Sequence, residues 1–175
     1  MGKGTKLKGF IIKKKSLLNK DILFTIFSEE LGKVSVIAKG IKKITSRRAP
    51  HIQTGNLVNV ELSSRGDILY LQDSFLISGF SQIRDSEQKT NFLFLYFFVL
   101  DRILPEHQQE LKMYTSTQQF LFEMARKTEF TKQSFTEHLN KLLSIAGYVQ
   151  GEKTLPELIR TVEEVINEKV PVSSL

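Results

Sequence analysis

The sequence predicts an α+β fold in which a five-stranded β-barrel is followed by an all-α domain. Hydrophobic residues alternate at period two in the first half of the chain and fall at helical spacing after Gly79. The charge changes at the same place: residues 1–80 hold 14 Lys+Arg and 6 Asp+Glu, whereas residues 81–175 hold 11 and 13. We therefore expect two domains, residues 1–80 and 81–175.

Five segments of the first half have the composition of short strands. Each is rich in β-branched or aromatic residues at period two, and turn residues separate them. The predicted strands are residues 7–15, 21–28, 33–39, 56–63 and 67–77. A long connection from Gly40 to Thr54 lies between the third and the fourth. Five strands in this arrangement suggest an OB-fold, a Greek-key barrel whose strand faces and loops bind oligonucleotides.

The second half predicts four helices, of which the first is central and buried. Residues 92–100 are apolar all round, which is typical of a helix buried on every side, and we place them in a helix over 85–104 that Pro105 ends. A second helix is expected over 108–127. Capping boxes predict the start of a third at Ser134 with Glu137 and of a fourth at Thr154 with Glu157.

The composition excludes several classes of protein. The chain has no cysteine, which rules out disulfides, thiolate nucleophiles and sulfur-ligated zinc. Its longest apolar run has nine residues, against about 20 for a membrane span, and its N-terminus lacks the apolar stretch of a signal peptide. Three dispersed histidines, no P-loop and no convincing carboxylate cluster argue against catalysis. We expect a cytoplasmic protein that is not an enzyme and binds neither metal nor cofactor.

The basic excess of the first half is the pattern expected of a protein that binds a polyanion. Its cations gather at the end of the first strand, in the connection after the third, and in the hairpin between the fourth and fifth. That connection is expected to be flexible and to follow a phosphate backbone without reading bases. Alternation places Lys14 on the face opposite its neighbours. The candidate nucleic-acid-binding residues are Lys13, Lys15, Lys39, Lys42, Lys43, Arg47, Arg48 and Arg65.

Single-strand binding usually adds aromatic side chains on which bases stack. The candidates in the first half are Phe10, Phe24, Phe27, Tyr70 and Phe75. Period-two alternation predicts that most of them lie in the barrel core instead.

Several segments of the sequence resemble the RecO family of bacterial recombination mediators. The similarity runs through residues 9–14, 21–33 and 36–40, then Ser46-Arg47 and Gln53. Its most specific part is Ala38-Lys39-Gly40 followed by a basic stretch. Residues 139–148, with paired leucines before Gly-Tyr, resemble the family's helical half.

The resemblance implies a protein that binds single- and double-stranded DNA, anneals complementary strands and, with RecR, helps to load RecA on strands coated by the single-stranded DNA-binding protein SSB. It implies no nucleotide hydrolysis. Many family members carry a four-cysteine zinc module shortly after Gly-Tyr, whereas here Tyr148 leads directly into the last helix, as if the module were deleted. The acidic, apolar-ended SSB tail would need basic residues beside a hydrophobic pocket, for which the candidates are Arg126, Lys127, Lys132 and Lys141.

Two other functions fit the same residues. An OB-fold RNA-binding protein of the translation or ribosome-assembly class would have a similar basic barrel. An interaction scaffold whose charge serves only solubility would show no salt-dependent binding of polyanions.

Overall fold

The computed structural model describes residues 4–41 and 47–171. The chain contains two compact units. The first comprises Met1–Gly79 with Leu104–Glu110, and the second comprises Phe80–Ile103 with Leu111–Leu175.

The first unit is a closed five-stranded barrel, as predicted. Its strands are β1 (Thr5–Ser16), β2 (Ile22–Ser28), β3 (Gly32–Ala38), β4 (Leu57–Arg65) and β5 (Ile68–Ser78), in the order β1-β2-β3-β5-β4. Neighbouring strands are antiparallel except β3 and β5, which form a short parallel pair. The long β1 pairs with both β2 and β4. Each predicted strand overlaps an observed one, and the topology is that of an OB-fold.

Strand alternation fills the barrel with apolar side chains. On β2, for example, Phe24 and Ile26 point inward and are fully buried. A bulge in β1 between Ile11 and Lys13 shifts the register, because Ile12 has no partner of its own in the ladder. The remaining core positions are Leu7, Ile11, Val34, Val36, Ala38, Ile41, Ile52, Val58, Val60, Leu62 and Leu71.

The connection between β3 and β4 is anchored in the barrel at both sides of its undescribed centre. Ile41 and Ile52 are fully buried in the barrel core. The backbone N–H of Gly55 donates to the Ile11 carbonyl at 2.8 Å, and the Asn56 side chain donates to the carbonyl of His51 at 2.8 Å. The connection is thus tied to the barrel by Ile41 before the undescribed residues and by Ile52 after them.

The segment Leu104–Glu110 returns to the barrel after the first long helix and lies beside the start of β3. Its His107 backbone N–H donates to the Lys33 carbonyl at 2.9 Å, and the Gln109 side chain donates to the Glu29 carbonyl. Gly32 has a φ of 68°, and a Cβ there would lie 1.7 Å from the carbonyl oxygen of Gln108. The close approach requires glycine. Because these residues are held by the barrel, the helix predicted from residue 108 begins only at Leu111.

The second unit is all-α. Its helices are α1 (Ser81–Arg84), α2 (Glu87–Ile103), α3 (Leu111–Arg126), α4 (Lys132–Ile145) and α5 (Leu155–Ile166). The short α1 was not predicted, since four residues are too few to show a hydrophobic period. Within the residues described, no helix has the length and apolar character needed to cross a membrane.

The two predicted capping boxes have different outcomes. At α5 the box is present: the Glu157 carboxylate accepts the Thr154 backbone N–H at 2.8 Å. At α4 the prediction of Ser134 as the cap was wrong. The cap is Thr131, three residues earlier, because its hydroxyl accepts the Ser134 backbone N–H at 3.1 Å, and Glu137 accepts from Gln133 instead.

Stacked aromatic rings form the core of the helical unit. Phe92 of α2 stacks on Phe135 of α4 with ring centroids 4.6 Å apart, and Tyr96 stacks on Phe120 of α3 at 4.1 Å. Burial raises the pKa of Tyr96 to about 12, so the phenol remains neutral. Most side chains of α2 from Phe92 to Leu100 are buried, which makes it the central strut. The prediction that it is buried on every side was wrong at Phe94, which is 50% exposed.

We predict that Phe97→Ala lowers the free energy of unfolding by about 3–5 kcal/mol, because Phe97 is 1% exposed and its removal leaves a cavity. Phe94→Ala, on the same helix at a ring that is 50% exposed, is the matched control and should cost far less. Urea denaturation measures both. Equal, small effects would contradict the assignment of Phe97 to the core.

Candidate nucleic-acid interface

The strand register brings one row of side chains together across the barrel's outer surface. Lys15 pairs with Leu23, Leu23 with Ile37, Ile37 with Tyr70, and Tyr70 with Ser63. The row crosses all five strands in the order β1, β2, β3, β5, β4. On β2, β3 and β5 it points outward, because the neighbouring residues of those strands pack in the core. We call it, with the cations beside it, the basic face: Lys13, Lys15, Leu23, Ile37, Lys39, Arg65 and Tyr70.

The two lysines of β1 both contribute to the basic face. Lys13 pairs with Thr25 and Lys15 with Leu23, and both lysine side chains are exposed. Lys14 pairs with the inward-facing Phe24, and its ammonium group donates to the Gln53 side chain on the other side of the strand. The predicted split of the three lysines between two faces is confirmed.

Lys39 and Arg65 meet at the ring of Tyr70. The Lys39 ammonium lies 4.8 Å from the ring centroid and the Arg65 guanidinium 5.8 Å. Lys39 directly follows β3, Arg65 ends β4, and Tyr70 lies on β5 between those two strands. Residues that are far apart in the sequence thus form one cationic and aromatic cluster.

A tight turn at the same end of the barrel holds the start of the connection in place. The turn between β1 and β2 places Asn19 and Lys20 at φ values of 57° and 63°, and the Asp21 N–H donates to the Leu18 carbonyl. The Asp21 carboxylate accepts the Gly40 backbone N–H at 2.6 Å, next to Lys39. Asp21 therefore has a local structural role, and no metal-binding group of carboxylates and histidines occurs among the described residues.

The Arg48 side chain makes hydrogen bonds within the barrel unit. Its guanidinium donates to the carbonyls of Leu71 at 3.2 Å and Gln72 at 3.3 Å on β5, and to that of Lys39 at 3.4 Å. Its neighbour Arg47 is exposed. Lys42 and Lys43 lie outside the described residues. Of the eight predicted cations, the structure thus gathers Lys13, Lys15, Lys39 and Arg65 on the basic face and ties Arg48 to β5.

The predicted stacking aromatics divide into buried and accessible rings, and of the buried ones Phe24 packs in the barrel core. Phe10, Phe24 and Phe27 are fully buried, whereas Phe75 is 61% exposed and Tyr70 is half-buried. The structure also separates Tyr70 from Phe75 by their positions on β5. Phe75 pairs with Asn59, toward the opposite end of β5 from the basic face. Leu23 and Ile37 were missed as surface residues, since their apolar character alone predicts a core position.

A second candidate surface lies on the helical unit, in a groove between α3 and α4. Three of the four predicted partner-binding cations line it, Arg126, Lys127 and Lys141, and Phe122 lies beside them with 42% of its surface exposed. The fourth, Lys132, lines a neighbouring groove between α4 and the start of α5. We call the first of these the α3–α4 groove.

Polar contacts order the cationic end of the α3–α4 groove. Buried Lys89 of α2 donates to the Lys127 carbonyl at 2.6 Å, which fixes the end of α3. The Lys127 ammonium pairs with Glu123 at 2.5 Å and lowers the pKa of that carboxyl. Burial lowers the pKa of His138, despite the opposing hydrogen bond to Glu123, so the imidazole adds little positive charge at neutral pH.

The class of protein is therefore an OB-fold protein with a helical second part. Its barrel is closed and has a basic outer face, and an all-α unit follows. Comparison with known families narrows this class. The family model for the N-terminal part of recombination protein O matches residues 1–80. This match, together with the relatives described next, supports a RecO family protein.

Proteins named DNA repair protein RecO are similar to most of this chain. That of Caldanaerobacter subterraneus subsp. tengcongensis is 23% identical over 144 residues, which cover 82% of this chain and 58% of the relative. That of Wolbachia pipientis subsp. Culex pipiens is 21% identical over 81% of this chain and 57% of the relative. That of Listeria monocytogenes serotype 4b is 28% identical over 116 residues, which cover 66% of this chain and 46% of the relative. The chain spans about half the length of the curated relatives it matches.

We predict that Arg48→Ala lowers the free energy of unfolding by about 1–2 kcal/mol, because it removes charged hydrogen bonds to three carbonyls. Arg47→Ala removes the same charge from an exposed position and should change stability by less than about 0.5 kcal/mol. Urea denaturation of the two variants measures the difference. Identical midpoints would show that Arg48 does not hold the connection.

Proposed function

We propose that this protein is a DNA repair and recombination mediator that binds DNA through the basic face of its barrel. It acts without catalysing a reaction, in the cytoplasm, by annealing complementary strands. With RecR it helps to load RecA on single strands coated by SSB. The observation that carries the proposal is the register that joins Lys15, Leu23, Ile37 and Tyr70 in one outward row with Lys13, Lys39 and Arg65 beside it.

The chemistry of the basic face supports binding with little sequence preference. Lysine and arginine neutralise phosphates, which carry no sequence information, and release the counterions condensed on them. The apolar side chains of Leu23 and Ile37 offer no hydrogen bonds that would select a base. Annealing needs such tolerance, because the protein must hold strands of any sequence. The names of the relatives support DNA as the polyanion.

The RNA-binding alternative predicts a similar basic face. It is distinguished by affinity, with DNA and RNA strands of the same sequence compared at matched salt. We expect DNA to bind at least as tightly as RNA, and the protein to accelerate annealing of complementary DNA strands coated by SSB. A clear preference for RNA without annealing would favour the alternative.

We predict that the double variant Lys15→Gln/Arg65→Gln weakens single-strand binding at every sequence tested. The slope of log affinity against log salt should shrink by about 0.7 for each phosphate that the variant no longer neutralises. Fluorescence anisotropy over a salt series measures this slope.

The matched control is Lys6→Gln/Lys8→Gln. It removes the same charge from exposed lysines on β1, toward the other end of the barrel. Its slope should stay close to that of the unaltered protein. Equal losses of affinity in the two double variants would show that net charge, and not the basic face, governs binding. No salt dependence in any form would favour the scaffold alternative.

We place the SSB contact in the α3–α4 groove. The tail of SSB is acidic and ends in apolar residues, and the groove combines Arg126, Lys127 and Lys141 with the exposed ring of Phe122. A carboxylate-rich peptide would find cations from both the α3 and the α4 side of the groove and an apolar surface for its end. Lys132 lies in the neighbouring groove and is proposed as a weaker contributor.

We predict that Arg126→Ala/Lys141→Ala weakens binding of a synthetic SSB-tail peptide at low salt by at least tenfold, measured by calorimetry. Lys112→Ala, at an exposed position near the start of α3, is the control and should bind normally. Binding that disappears with Lys132→Ala but is retained in the double variant would contradict the placement. A peptide that does not bind the unaltered protein would remove this partner.

A further inference from the structure

We propose that Tyr70 is a stacking platform for one nucleobase of a single strand, with Lys39 and Arg65 as contacts to the phosphates on either side of that base. The inference rests on the proposed function and deepens it. It names the form of nucleic acid that the basic face takes: an unpaired strand, held through a base as well as through its backbone.

The position of Tyr70 suits a stacking role. Its side chain is half-buried on the outer surface, between Ile37 of β3 and Ser63 of β4. Leu23, in register with Ile37, adds a second apolar side chain to the same outward row. The strand pairing on both sides fixes the backbone of Tyr70, so the ring is presented at a defined place.

The contacts of the other aromatic residues of the barrel set Tyr70 apart. Phe10, Phe24 and Phe27 are fully buried, which leaves no ring face open to a base. Phe75 is exposed, but it lies in register with Asn59 and not with the row of the basic face. Among the described residues of this unit, Tyr70 is the aromatic ring with Lys or Arg cations packed against it.

The two cations explain how a strand can be held at the ring. In the free protein, Lys39 and Arg65 lie against the π-system at 4.8 and 5.8 Å, an arrangement that is weak at an exposed site. Phosphates on either side of a bound nucleotide can draw these flexible side chains to themselves, which frees a face of the ring for the base. The exchange replaces weak cation–π contacts by charge-assisted hydrogen bonds and a stacked base.

This geometry favours single strands over duplexes. In a duplex both faces of each base are covered by its neighbours, and only an unpaired base can be turned onto a protein ring. Every base has a π-face, so stacking on Tyr70 remains compatible with strands of any sequence. A duplex would engage the cations of the basic face alone.

The test uses three substitutions of Tyr70 in the full chain, with an oligo(dT) strand and a backbone-matched abasic strand as probes. Tyr70→Ala should weaken binding of oligo(dT) by about 5- to 150-fold, the range for loss of one stacked base. It should leave binding of the abasic strand and the salt slope nearly unchanged, because no phosphate contact is removed. Tyr70→Phe should retain binding, since the ring remains.

Tyr70→Trp gives a direct reading of stacking. The chain contains no other tryptophan, so indole emission from this variant reports on position 70 alone. We expect oligo(dT) to quench it strongly and the abasic strand to leave it nearly unchanged. Phe75→Ala is the matched control and should bind both probes normally, because that exposed ring lies outside the row.

Three results would overturn the inference. One is oligo(dT) binding that Tyr70→Ala does not weaken, measured in a protein that shows the salt dependence expected of the proposed function. Another is a loss of affinity in Tyr70→Ala that is equal for the two probes, which would assign the ring only to positioning the cations. The last is duplex binding as tight as single-strand binding and weakened equally by Tyr70→Ala. Absence of salt-dependent binding in the unaltered protein would instead be the failure of the proposed function itself.

Discussion

The short parallel pairing between β3 and β5 is the constraint on which the candidate site depends. Its partners, Val36 with Leu69 and Ile37 with Tyr70, close the barrel between strands that are separated in the chain by the long connection and by β4. Closure removes the free sheet edges. It also brings the end of β3 beside the start of β5, and so Lys39 beside Tyr70. Without this pairing, Lys39 at the end of β3 would lie at the opposite edge of the sheet from Tyr70 on β5.

Two internal contacts support the same end of the barrel. Asp21 holds the backbone of Gly40, and Arg48 joins three carbonyls from β5 and from Lys39. With Ile41 and Ile52 buried in the core, the basic connection leaves and re-enters the barrel at fixed points. The cations of the connection after β3 thus have different roles. Arg48 organises the surface, whereas Lys39 and Arg47 present charge on it.

The sequence predicts the five strands, the central helix and the face that Lys13 and Lys15 share, because hydrophobic period and side-chain alternation are local properties. Three features could not be predicted locally. The closing pair depends on strands distant in sequence, the role of Arg48 depends on carbonyls that only the folded β5 supplies, and Gln108 leaves its predicted helix because the barrel holds it. Tyr70 could be named as a candidate from composition, but its selection over Phe75 required the register and the neighbouring cations.

The most direct test of the basic face as the DNA-binding surface is a hydrogen-exchange footprint of the protein with and without a saturating single-stranded oligonucleotide. Backbone amides report where the strand lies without any change to the sequence. We expect added protection at the ends of β1 and β3, in the turn that contains Asn19 and Lys20, and in residues 63–70. Protection confined to the opposite end of the barrel, at residues 28–34 and 75–78, or to the helical unit would contradict this assignment.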